Sequence, residues 1–113
     1  MVNRYEAHLD RVFHALADPT RRRILLRVAK SSCTVAELAE PFSISAPAIS
    51  RHLKVLENAR MIERVKTGKF HRFRVNTRPL GQAQRMLQQL TDFWNRRLDN
   101  LEDFLQNEIG KTN

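Results

Sequence analysis

Along the first half of the chain, apolar side chains recur at three- and four-residue steps, and short polar breaks divide them. Leu9, Val12, Phe13 and Leu16 mark one face of an amphipathic helix predicted over residues 4–17. Asp18-Pro19 restarts the chain, with an aspartate suited to capping and a proline suited to the first helical position. The second helix turns Ile24, Leu25 and Val28 inward and Arg21, Arg22, Arg23 and Arg27 outward. Thr34-Val35-Ala36-Glu37 fits a capping box for a short third helix over about residues 35–40, which buries Val35 and Leu38 and stops before Pro41. Phe42 and Ile44 plug the following turn, and Ser45 caps a fourth helix over residues 46–59 that buries Ile49, Leu53 and Leu56. Two short helices about a tight turn, residues 35–59, read as helix–turn–helix.

The period then shortens to two. Met61–Lys66 and Phe70–Val75 flank Thr67-Gly68, where glycine permits a positive-φ turn, so residues 61–75 form a hairpin. Phe73 and Val75 face the core, with Arg72 and Arg74 toward solvent. From Pro79 the helical period returns and holds to the end through Leu80, Ala83, Leu87, Leu90, Trp94, Leu98, Leu101, Phe104, Leu105 and Ile109. A helix over residues 79–109 at ~1.5 Å per residue reaches ~45 Å, more than a small domain needs. Its apolar stripe has no further chain to cover it, and a second copy is the economical partner. Leu9 and Phe13 of the first helix join Leu87, Leu90, Trp94, Leu98, Leu101, Phe104 and Leu105 as the dimerisation set. The fold class is mainly α with one small β-hairpin: a winged helix–turn–helix in a single domain spanning residues 1–113.

Charge assigns that architecture a partner. Residues 41–79 hold nine basic and two acidic side chains, +7 of the chain's net +8. Such a concentration on a helix–turn–helix and hairpin is the footprint of a protein that lies on double-stranded DNA. With Ile49, Leu53 and Leu56 inward, the fourth helix presents Ala46, Pro47, Ser50, Arg51 and Lys54 outward, behind the Ser45 cap. Arg51 suits a bidentate guanine contact, Ser50 a base or phosphate, and the small apolar residues thymine methyls. Lys66, Lys69 and Arg72 make the hairpin a basic finger for the flanking backbone, though the same charges can guard a solvated edge strand. Arg21 reads better as structural than as a DNA contact, and His52 as a satisfied residue on the helix flank.

Other chemistry has little to stand on. One cysteine, Cys33, excludes an internal disulfide framework, and its place before a helix cap would permit some lowering of its pKa. The four histidines show no metal-ligand spacing, and neither a phosphate-binding loop nor a nucleophile motif is present. The reading is of a non-enzymatic protein with no cofactor, no bound metal and no membrane span, kept in the cytoplasm for want of an export signal. A protein-interaction module, with the winged helix as scaffold and the last helix binding another protein, is the competing account. It gives no reason for +7 on residues 41–79.

The strings FHALADPTRRRIL, TVAELAEPFSISAPAISRHLKVLENARMI and HRFRV, in this order over about residues 9–76, resemble the ArsR/SmtB family of bacterial winged-helix repressors. The tail FWNRRLDNLEDFL is similar to a metal-independent subgroup, often autorepressors, in which terminal helices form the dimer. The resemblance implies a homodimer that grips an inverted repeat, with Ser45 through Lys54 as recognition helix and Lys66 to Arg72 as wing. Metal sensors of the family carry cysteines where this chain has Thr34 and Ala36, or Asp and His on a last helix that here lacks histidine. Metal sensing therefore does not carry over. The recognition helix opens on Ala46-Pro47-Ala48 where many relatives are polar, so a relative's operator does not transfer either.

Overall fold

In the computed structural model, which describes residues 3–110, five helices and one hairpin follow the predicted order. They are α1 (Arg4–Leu16), α2 (Pro19–Lys30), α3 (Val35–Phe42), α4 (Ala46–Asn58), β1 (Ile62–Thr67), β2 (Phe70–Val75) and α5 (Arg78–Gly110). The chain divides into two compact units, Met1–Ala83 and Gln84–Asn113.

In the first unit, α1, α2 and α4 pack on one another, α3 packs on α4, and the hairpin closes on α2 and α4. The apolar positions that set the helical period supply the core: Val12, Ile24, Leu25, Val28, Leu38, Ile49, Leu53, Leu56 and Phe73 are buried there, with Phe42, Ile44 and Val75 packed against its edge. The first four helices start on the side chains their sequence offers. Asn3 accepts from the Glu6 amide, Asp18 from Arg21, Thr34 from Glu37 and Ser45 from Ala48.

Several details differ from the sequence expectation. α3 runs through Pro41 to Phe42, because a proline this near the end forfeits only one terminal hydrogen bond; Ser43, left-handed at φ 52°, stops the helix instead. The Thr34 capping box is half made, since the Glu37 carboxylate turns away to Arg72. The hairpin pairs Thr67 with Phe70, so its two-residue turn is Gly68-Lys69, one position later than expected, with Gly68 at φ 62°. α4 ends on a Schellman motif: the Arg60 amide donates to the Glu57 carbonyl and the Met61 amide to Leu56. Arg60 occupies its left-handed position at φ 59°, where glycine is the usual occupant.

In the second unit, α5 is unbroken through Asn95–Asn100. Leu87, Leu90, Phe93, Trp94, Leu98, Leu101, Phe104, Leu105 and Ile109 are 47–69 % exposed along it. Phe93 and Trp94 meet edge to face at 6.1 Å, and Arg97 lies over the Phe93 ring.

Candidate nucleic-acid interface

The outward face of α4 follows from its inward one. Because Ile49, Leu53 and Leu56 are buried, helical geometry turns Ala46, Pro47, Ser50, Arg51 and Lys54 to solvent, and all five are exposed. Ser45 caps the helix through its Oγ, which receives the Ala48 amide at 3.3 Å. Neither Arg51 nor Lys54 has a hydrogen bond or ion pair among the described residues, so both side chains are available to a ligand.

His52, between them, is held by the body of the unit. Its Nδ1 lies 3.4 Å from Arg21 Nη1 and 4.0 Å from the Asp18 carboxylate. Asp18 is itself committed: the hydrogen bond from the Arg21 amide holds its pKa below the usual value, helped by the charges of Arg21 and His52 against a smaller opposing effect of burial. Arg21 then donates to the Ala15 and His14 carbonyls, and Arg22 to Leu16, so two arginines of the triplet cap the C-terminus of α1. This network fixes the roll of α4 against α1 and α2.

The wing sorts its charges. Arg64 pairs with Glu57 at 3.0 Å and stacks over Phe73, and Arg74 pairs with Glu63 at 3.1 Å. Both acidic residues of the basic segment are thus neutralised by wing arginines. Lys66 and Lys69 are left exposed and unpaired at the tip, beside Phe70, which is also exposed. The expectation that Arg72 faces solvent is corrected here. Arg72 is half-buried, donating to the Ser32 carbonyl at 3.0 Å and to the Glu37 carboxylate at 3.2 Å. Its stem lies along the body because a third chain segment docks on the hairpin: Cys33 forms a β-bridge to Phe73 through backbone bonds of 3.2 and 2.8 Å. Sequence periodicity could not show that bridge, since one residue carries it.

The same bridge encloses Cys33. Its side chain is fully buried, its thiol donates to the Ser31 carbonyl at 3.2 Å, and burial raises its pKa, against the lowering expected from its place before a cap. Among the described residues no three His, Cys, Asp or Glu side chains converge as a metal set. No helix among them is long and apolar enough to cross a membrane.

The dimerisation set separates by position. Leu9, at 4 % exposure, is buried within its own chain, and Phe13 is half-buried against the core, so α1 offers less than expected. Leu87, Leu90, Trp94, Leu98, Leu101, Phe104 and Leu105 are all open on α5. Four arginines that motif reading passed over, Arg4, Arg11, Arg60 and Arg78, line one groove of the first unit. They come from three separate segments, α1, the turn after α4 and the start of α5, so only the excess of basic residues hinted at them.

The family model described as "Bacterial regulatory protein, arsR family" matches residues 18–64, from the α2 cap into β1. The chain is 37 % identical over 103 residues to the HTH-type transcriptional regulator Rv2034 of Mycobacterium tuberculosis (strain ATCC 25618 / H37Rv), covering 91 % of this chain and 94 % of that protein. It is 41 % identical over 69 residues to the transcriptional repressor SdpR of Bacillus subtilis (strain 168), covering 61 % of this chain and 77 % of SdpR. Among solved structures, an ArsR-like transcriptional regulator from Rhodococcus sp. RHA1 matches with a TM-score of 0.84 at 31 % identity, over 95 % of this chain and 98 % of that one.

Proposed function

The chain belongs to the arsR family of bacterial regulatory proteins, and from that premise we propose that it is a homodimeric repressor that closes an inverted-repeat operator, its own promoter among the candidates, in the bacterial cytoplasm. As a member of that family it is a DNA-binding transcriptional regulator and not an enzyme. The observation that carries the reading is the segregation of charge: Arg51, Lys54, Lys66 and Lys69 are exposed and unpaired, while every wing arginine is occupied.

An α-helix of ~10–12 Å diameter fits the ~12 Å major groove, and α4 enters it by its capped end. There Arg51 reads guanine, Ser50 bonds a base edge or phosphate, and Ala46 and Pro47 pack against thymine methyls. Lys54 takes the adjoining backbone, and Lys66 and Lys69 reach the flanking phosphates. Arg72 serves this surface from behind, by holding the wing to α3. The exposed stripe of α5 meets its copy, which sets two reading helices about one helical turn of DNA, ~34 Å, apart or a multiple of it. Residues 1–113 act in this reading as one winged-helix module.

The test is a gel shift of the purified protein on its own upstream region across a salt series. Affinity falls steeply with salt as counterions are released. Arg51→Ala relaxes base preference, whereas Lys69→Ala weakens all sequences alike and lowers the salt slope by about 1. Salt-independent binding, or an Arg51→Ala protein that keeps both affinity and preference, overturns the assignment.

A further inference from the structure

A groove of about 680 Å³ lies between α1, the C-terminal end of α4 and the first turn of α5, and it is lined by Arg4, Arg11, Arg60 and Arg78 together with His8. No carboxylate lines it, and none of the four guanidinium groups has a hydrogen bond or ion pair among the described residues. Four cations gathered without a counter-charge repel one another, and each keeps its full donor set unspent.

Two further observations concern the backbone that carries these exposed arginines. Arg60 sits left-handed at φ 59° in the position that closes α4, where a side chain costs about 1 kcal/mol and glycine costs nothing. Asn76 joins Arg60 to Arg78, donating from Nδ2 to the Arg60 carbonyl at 3.1 Å and accepting the Arg78 amide at 3.3 Å. Arg78 in turn opens α5, whose first-turn amides add partial positive charge to the same groove.

We propose that this groove is an anion site that takes a small phosphate-bearing molecule. Planar guanidinium forks match phosphate oxygens in pairs, and the volume falls within the range of small-ligand pockets. DNA phosphates are the other source of the same chemistry. They are disfavoured by position, because Ala46, Pro47, Ser50 and Arg51 occupy the N-terminal half of α4 and Arg60 lies beyond its far end, ~14 Å along the helix axis from Arg51 and ~9 Å from Lys54. The site is independent of the operator surface and fails or stands without it.

The experiment is isothermal titration of the full chain with inorganic pyrophosphate at fixed ionic strength, with chloride as the control anion. One saturable site per chain is expected. The double variant Arg11→Gln/Arg78→Gln weakens it by at least about tenfold. Arg60→Gly weakens it too without lowering the melting temperature, since glycine suits that backbone, and this separates lost binding from lost folding. Arg51→Gln/Lys54→Gln leaves it unchanged. Operator affinity, measured by anisotropy, is unaltered by the groove variants. Absence of saturable binding, or binding lost with Arg51 and Lys54 rather than with the groove, overturns the proposal. So does an operator affinity that falls with Arg11→Gln/Arg78→Gln, which would make the groove a DNA contact.

Discussion

Replacing Trp94 with alanine tests the proposed pairing through α5 at its largest side chain. The indole is 60 % exposed in the single chain. Aromatic side chains bury about 150–250 Å², so roughly 120 Å² of Trp94 awaits cover. At about 25 cal/mol per Å², full cover is worth about 3 kcal/mol per chain, and a two-fold pair loses the ring twice. A helix face leaves each ring partly open even when paired. Cover of half that area gives about 3 kcal/mol per dimer, or roughly a hundredfold in the dimer constant. Alanine is the best helix former, so Trp94→Ala removes the surface while keeping α5 helical. Sedimentation equilibrium over a range of concentrations reads the constant, and circular dichroism checks the helix. Arg96→Ala, on the opposite side of the same turn, is the control and leaves the constant in place. A Trp94→Ala protein that pairs as tightly as wild type, or a wild-type chain that stays single at high concentration, refutes the reasoning.

Arg72→Ala costs about 1 kcal/mol in urea unfolding and lowers operator affinity through a loosened wing. Glu37→Ala has the same effect and the double variant adds little; were Arg72 a phosphate contact, freeing it with Glu37→Ala would not weaken binding. Ser45→Ala removes the α4 cap and costs about 1 kcal/mol, read from the same melts. Cys33 resists thiol reagents near neutral pH in the native protein and reacts at once in denaturant. Because burial raises its pKa, the folded state holds the thiol proton more tightly. This contribution to stability is complete below the ordinary thiol value of about 8.5 and falls away as pH climbs past it. Fast native labelling, or stability flat across that interval, contradicts the burial seen here.

Periodicity carried most of the fold. The inward faces of α2 and α4 hold the residues the spacing selects, because a helix that must bury one stripe has only one way to turn. The caps Asp18, Thr34 and Ser45 were equally legible, since capping is a bond across three residues. The outward set on α4 followed by subtraction.

What needed the tertiary structure was every feature that joins distant segments. Leu9 shares the spacing of a partner-facing residue, yet its own chain buries it. Arg72 alternates like a solvent-facing strand residue, yet a carbonyl and a carboxylate from 40 and 35 positions away claim it. Cys33 precedes a helix cap, yet a single β-bridge to Phe73 seals it inside. The four groove arginines come from α1, α5 and the turn after α4. Local sequence fixes what lies within a turn or two of helix, because those bonds and contacts are short-range. Which charge is spent and which remains free is decided only when the folded chain brings its remote parts together.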